Sequence, residues 1–130
     1  MQFPNYFPEN CPPKTAKEAS GTVYYLVRND PPTPDDFLSK RQKNPNKRFP
    51  KDEKECQSCG ISVYTEIEDI LNLRQIYPDL GNLKVAVSNL TPKLGVIQPS
   101  PSNNSPSHHT LWLAIGAEPW TLFQVIDITV

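Results

Sequence analysis

The fold of this chain depends most on residues 109–128, HTLWLAIGAEPWTLFQVIDI. Two apolar segments, 109–115 and 120–128, flank the sequence Gly-Ala-Glu-Pro at 116–119, which has the composition of a turn. This arrangement predicts a β-hairpin at the centre of the core. Both tryptophans and their apolar neighbours are expected to be buried there, namely Leu111, Trp112, Leu113, Trp120, Leu122, Val125 and Ile126.

Four segments upstream also have the composition of strands. Residues 21–28 and 84–90 are rich in β-branched and aromatic side chains, and 61–64 and 94–98 are shorter examples. With the hairpin, they predict a small mixed or antiparallel sheet of five to six short strands.

Two helices are predicted beside this sheet. The main amphipathic helix, 66–77, follows a Thr65-x-x-Glu68 capping box and carries a stripe at i, i+3, i+4 and i+7, formed by Ile67, Ile70, Leu71 and Arg74. A short helix at about 34–42 begins at Pro34 behind the possible cap Thr33. The predicted fold class is therefore α+β.

Proline is frequent in this chain, at 15 of its 130 residues, and its positions indicate how the chain is divided. Residues 1–20 combine prolines with aromatic side chains and predict an irregular arm, which we expect to pack on the domain. Residues 21–130 are long enough for a single α+β domain with one modest core. Polar loops are expected at 40–56 and 99–107.

Charge and composition exclude several classes of function. The net charge is −1, so no overall field attracts nucleic acid or an anionic membrane. No apolar run approaches the roughly 20 residues of a spanning helix, and the N-terminus lacks a secretory signal pattern. With only three cysteines, at 11, 56 and 59, we expect reduced thiols and a cytoplasmic protein.

Cys56-x-x-Cys59 is half of a zinc-binding pattern, and His108 supplies a third possible ligand. His109 could add a fourth, but neighbouring residues of a strand point to opposite faces of the sheet. Zinc is therefore a candidate ligand, and the alternative is that the spacing is incidental, because a lone C-x-x-C is common and the sequence contains no second one.

The two histidines and the basic stretch 40–54 suggest other chemistry. His108 and His109 stand where a polar loop enters an apolar strand, a position that suits a general acid or base or a bond to backbone. The seven basic residues of 40–54 could contact phosphates, with Phe49 stacking on a base, or could form a solvated loop. A protein partner is favoured over nucleic acid.

One set of residues resembles a known family in its order along the chain. Arg28 ends a strand, Ser62 and Tyr64 lie on a second strand that leads into a helix, and His109 and Glu118 follow. This order resembles that of the ADP-ribosyltransferase superfold, including its small toxins. The resemblance implies an NAD site with these five residues around it, and Glu118 is the only acidic residue from 81 to 126 that can serve as the late glutamate.

The sequence leaves two functions open. We expect a non-catalytic binding or regulatory module that acts through protein contacts, of the accessory, immunity or effector-recognition type. It needs no cofactor, and two long polar loops and an aromatic arm favour it. The alternative is a small NAD-using ADP-ribosyltransferase-like enzyme or toxin.

Overall fold

One antiparallel sheet of seven strands organises the molecule, for which a computed structural model describes residues 1–128. The strand order is β1-β5-β6-β3-β2-β4-β7. The strands are β1 Lys17–Glu18, β2 Gly21–Val27, β3 Ile61–Tyr64, β4 Lys84–Leu90, β5 Gly95–Pro99, β6 His108–Leu113 and β7 Gln124–Ile126. The mixed α and β class is confirmed, with seven strands in place of the expected five to six.

Three α-helices accompany the sheet in the described part of the chain: α1 Lys40–Lys43, α2 Asp52–Ser58 and α3 Ile67–Ile76. Short 3-10 turns cover Pro34–Phe37, Pro78–Asn82, Pro92–Leu94 and Pro119–Thr121. Each of these turns begins at a proline, whose fixed φ suits the first helical position.

The two faces of the sheet are covered differently. One face carries the main core, in which Val23, Val63 and Leu111 are almost fully buried. The opposite face has two smaller apolar clusters, one under α3 around Ile70 and one under α2 around Trp112. Polar side chains of β3 and β6 lie between these two clusters.

The predicted C-terminal hairpin is wrong, because β6 pairs with β3 and β5 while β7 pairs with β4. Three strands separate β6 from β7 in the sheet. Ala117, Trp120 and Phe123 of the connection pack on the main core, and the chain crosses the core to pair with β4 instead of folding back onto β6. Leu122, expected in the core, is 38% exposed.

The first predicted helix is divided in two. A 3-10 turn covers Pro34–Phe37, and α1 starts afresh after Leu38, whose backbone is extended (ψ 133°). Ser39 caps α1 by accepting a hydrogen bond from the Gln42 N–H at 3.2 Å. The expected polar loop 40–56 consequently contains α1 and most of α2.

The second predicted helix is confirmed as α3, but its start differs. Glu66 is the N-cap residue, so the Thr65-x-x-Glu68 capping box does not form. Instead, the hydroxyl of Ser107 accepts the Glu66 N–H at 3.1 Å, and the carboxylate of Asp69 accepts the Ser107 N–H at 2.8 Å. Ser107, from a loop distant in sequence, therefore caps the start of α3 in place of a local residue. The sequence around Thr65 could not reveal this contact.

The expectation of reduced thiols is wrong for two cysteines, since Cys11 and Cys56 form a disulfide. It joins the N-terminal arm to α2 across 45 positions of sequence. Phe3 and Phe7 of the arm pack on the same cluster as Trp112. None of the described helices is long and apolar enough to cross a membrane.

Candidate functional site

The sheet opens between its two central strands. β2 and β3 share a single pair, Tyr24↔Tyr64, although both strands continue beyond it to Val27 and Ile61 respectively. A cleft of about 440 Å³ lies along this opening. It is large enough for a few side chains of a bound molecule, and α1, α2 and the end of α3 surround it.

The lining of the cleft is mixed in polarity. Its apolar part comes mainly from the strand opening and from the segment after α3, with Leu26, Leu38, Phe49, Ile61, Leu73, Leu80 and Leu83. Its uncharged polar part includes Tyr25, Ser39, Gln57, Ser58, Ser62 and Tyr64. Such a lining suits a ligand that has both an apolar and a polar portion.

The charged residues that line the cleft, in the part of the chain that the structure describes, are all lysines. Lys40 and Lys43 come from α1, and Lys54 comes from α2; all three are exposed. None of the lining residues within 1–128 is acidic. The local field therefore favours an anion, although the chain as a whole has a net charge of −1.

An ion pair fixes the segment that carries these lysines. Arg41 Nη2 lies 2.6 Å from Glu55 Oε2, and its Nη1 donates to the carbonyl of Lys47 at 2.7 Å. Glu55 Oε1 accepts the Phe49 N–H at 2.7 Å, and the Arg41 guanidinium sits 5.0 Å from the centre of the Phe49 ring. The Phe49 N–H, helped by Arg41, holds the pKa of Glu55 below its usual range. The expected solvated loop is thus ordered around Arg41.

Ser62 and His108 meet beside the cleft. Ser62 is exposed on β3, and its Oγ lies 2.8 Å from His108 Nε2. On the other side of the ring, Nδ1 lies 2.7 Å from the backbone oxygen of Ser100 and 2.7 Å from its hydroxyl. The Ser100 hydroxyl continues the chain of contacts to Thr110 Oγ1 at 2.8 Å.

Strand register brings these groups together. β3 and β6 pair antiparallel, with Ser62 opposite Thr110 and Tyr64 opposite His108, so all four side chains share one face. Gly60 allows this close approach, because a Cβ there would meet Thr110 Cγ2 at 2.5 Å.

Tyr64 packs against the imidazole ring of His108. The two rings meet edge to face with centroids 5.3 Å apart. Burial, and then the nearby Asp69 carboxylate, raises the pKa of Tyr64 to about 12. The phenol is therefore neutral at physiological pH and adds no charge to the cleft.

The residues of the NAD-site hypothesis are not gathered in one place. His109 pairs with Val63, so it faces the opposite side of the sheet from Tyr64. Arg28 is exposed just after the end of β2, and Glu118 is exposed in the crossing segment after β6. Only Ser62 and Tyr64 of the five line the cleft.

The zinc hypothesis is not supported by the placement of its residues. Cys56 is bonded to Cys11, Cys59 is a buried thiol whose pKa is raised by burial, and His108 bonds to two serines. Within residues 1–128, no three His, Cys, Asp or Glu side chains form a group that could hold a metal.

A second hollow of about 380 Å³ lies where the arm meets the crossing segment. Tyr6 and Phe7 border it from the arm, and Ile115 and Trp120 border it from the opposite side. No lysine, arginine, aspartate, glutamate or histidine lines it in the described part of the chain. It offers an apolar surface without a charged group to orient a ligand.

The sequence placed Ser62 and Tyr64 together on one strand and His108 among possible zinc ligands, but it did not reveal the contact between Ser62 and His108. It also assigned the lysines to a solvated loop. The spacing of Lys40 and Lys43, three residues apart behind a capping serine, was the available signal for a basic helix face. Comparison with known proteins found no matching family model, no matching curated protein and no matching solved structure.

Proposed function

We propose that this protein is a binding module that acts through protein contacts, and that its cleft takes an acidic segment of a partner chain. The observation that carries the proposal is the cleft itself, with three lysines and no acidic side chain among its described lining residues. The occupant of matching chemistry has carboxylates next to an apolar side chain. The leucines of the cleft and Phe49 would cover that apolar side chain.

Charge complementarity favours a peptide over a nucleic acid. The chain carries 14 acidic against 13 basic residues, so it has no overall positive charge to supply the sequence-independent attraction on which nucleic-acid binding depends. Three lysines around a partly apolar cleft are better matched to a short acidic segment with one hydrophobic anchor.

The disulfide supports a second part of the proposal, concerning location. Disulfides persist in oxidising compartments and are rare in the cytosol. The Cys11–Cys56 bond therefore favours an oxidising compartment over the cytoplasmic location expected from the sequence.

The binding proposal is tested with a synthetic peptide that has two central leucines flanked by glutamates, and with its glutamine counterpart. Fluorescence anisotropy should show binding of the glutamate peptide, weakening as salt rises. Lys40→Gln and Lys54→Gln should each weaken it about two- to fivefold, the range of one exposed ion pair. Lys93→Gln is the matched control, since Lys93 is exposed and lies outside the cleft lining.

Three results would contradict the proposal. They are equal affinity for the glutamine peptide, an equal loss with Lys93→Gln, or tighter binding of a single-stranded oligonucleotide of similar charge.

A further inference from the structure

His108 is held in one tautomer by the backbone. Its Nδ1 lies 2.7 Å from the carbonyl oxygen of Ser100, which can only accept a hydrogen bond. The proton of a neutral ring is therefore on Nδ1. The lone pair of Nε2 then faces Ser62 Oγ at 2.8 Å, and the Ser62 hydroxyl is the donor of that bond.

The surroundings of His108 keep the ring neutral. Burial lowers its pKa, and this effect outweighs the opposing bond to Ser100. The positive charges of Lys40 on α1 and Lys54 on α2, together with the neighbouring His109, lower it further. Tyr64, packed edge to face on the ring, is neutral and adds no charge beside it. A neutral imidazole is the form that accepts a proton.

We propose that Ser62 and His108 form a nucleophile–base pair that accepts an acyl group from esters whose acyl part carries a negative charge. The geometry is that of an activated serine: nucleophile and base are within hydrogen-bond reach, and a third group orients the base. Ser62 is exposed toward the cleft, so an acyl carbon can reach its Oγ. The lysines define the substrate class, because they attract an anionic acyl chain.

The reaction balances without any other co-reactant than water. Ser62 Oγ forms a bond to the acyl carbon while its proton passes to His108 Nε2. The bond from that carbon to the leaving oxygen breaks, and the leaving oxygen takes the proton from His108. Water then attacks the acyl carbon, giving its proton to Nε2; the bond to Ser62 Oγ breaks, and that oxygen recovers the proton as the carboxylic acid departs.

This inference goes beyond the proposed binding function and beyond the non-catalytic role expected from the sequence. The two are independent, since the cleft can hold an acidic segment whether or not Ser62 reacts. Peptide anisotropy tests the binding proposal alone, and acyl-enzyme formation tests the role of Ser62. Failure of one proposal can therefore be distinguished from failure of the other.

The test uses the full chain and two chromogenic probes, the 4-nitrophenyl monoester of adipic acid, whose carboxylate is too distant to close a five- or six-membered anhydride ring, and neutral 4-nitrophenyl acetate. After the uncatalysed rate of each ester is subtracted, we expect nitrophenolate release that is faster with the adipate ester, and an adipoyl adduct that peptide mass spectrometry places on Ser62. Ser62→Ala should abolish the adduct. His108→Gln should slow release about 100-fold or more, as loss of a general base does.

A matched control distinguishes loss of the catalytic pair from a general effect of substitution on the fold. Ser102→Ala removes another exposed serine that lies outside the cleft lining, and it should keep the wild-type rate. The rate with wild-type protein should rise with pH as His108 loses its proton and then level off, and Ser62→Ala should lack this profile. The inference is overturned by an adduct on another residue, by unchanged release in Ser62→Ala, or by equal rates with the two esters.

Discussion

The indole N–H of Trp112 donates a hydrogen bond of 2.8 Å to the backbone carbonyl of Cys56. Both residues are buried, and the bond joins β6 to α2 across 56 positions of sequence. The disulfide and Lys54 both lie on α2, and His108 lies on β6. This bond therefore holds the helix that carries one cleft lysine against the strand that carries His108.

Breaking the disulfide should lower stability substantially. The Cys11–Cys56 bond closes a loop of 45 positions, and the loss of such a cross-link costs about 2–4 kcal/mol. In urea unfolding, the double variant Cys11→Ser/Cys56→Ser should have a lower midpoint than wild type. Added reductant should then lower the wild-type midpoint and leave that of the variant unchanged.

Thiol counting gives an independent check of the same bond. Alkylation of the denatured, unreduced protein should modify Cys59 alone, the one described cysteine outside the disulfide. Three modified cysteines would contradict the disulfide.

Gly60→Ala should destabilise the junction of β3 with β6. The added methyl group would meet Thr110 Cγ2 at 2.5 Å and the Leu111 carbonyl oxygen at 2.9 Å. Overpacking of this kind costs about 1–3 kcal/mol. Gly81→Ala is the control, since the nearest atom there is 3.8 Å away, and thermal unfolding should show little change for it. Equal melting temperatures of the two variants would contradict the packing described.

Asp36 should make stability dependent on acid pH. Burial opposes its ionisation, but hydrogen bonds from the N–H groups of Thr33 and Arg28 and from the Asn29 amide outweigh burial and lower its pKa below 3.8. The folded pKa is thus below the unfolded one, so the stabilisation is complete above the unfolded pKa and is lost as pH falls through the folded pKa.

Asp36→Asn should therefore cost about 1–3 kcal/mol at neutral pH, because two partly buried N–H groups lose a charged acceptor. The difference from wild type should shrink below about pH 4. Asp35→Asn, on the exposed neighbour, should unfold like wild type across the series. A cost for Asp36→Asn that stays constant down to pH 2 would contradict this role of the carboxylate.

Glu55→Gln should loosen the segment between α1 and α2. The glutamate holds both the Arg41 guanidinium and the Phe49 N–H, and an amide cannot pair with both as a charged acceptor. Hydrogen exchange at the Phe49 amide should become faster, because this N–H loses its charged acceptor. Glu53→Gln on the exposed side of α2 should leave that exchange unchanged; a similar increase there would argue against the ion pair.

Local patterns in the sequence predicted most single elements. Strand 61–64 and helix 66–77 were predicted nearly to the residue, since alternation and the 3.6-residue period depend on neighbours along the chain. The pairing of β6 and β7 was missed because two apolar segments joined by a turn-like sequence fit a hairpin equally well. The pairing is decided by the packing of Ala117, Trp120 and Phe123 on the main core, which is a tertiary contact.

The site could be predicted only in pieces for the same reason. The contact between Ser62 and His108 depends on the register of β3 with β6, and a shift of one residue would turn the two side chains to opposite faces. The order in 40–54 depends on Arg41 reaching Glu55, fourteen positions away, which no local pattern encodes. The disulfide could not be predicted either, because only the fold brings Cys11 beside Cys56 on α2.

The measurement that most directly tests the central claim is a titration of the isotope-labelled protein with the glutamate–leucine peptide, followed by amide chemical shifts. The account predicts changes concentrated at Lys40, Lys54 and Ser62, with Lys93 and the apolar hollow around Ile115 unaffected. Changes centred on that hollow, or spread evenly over the surface, would contradict the assignment of the cleft as the binding site.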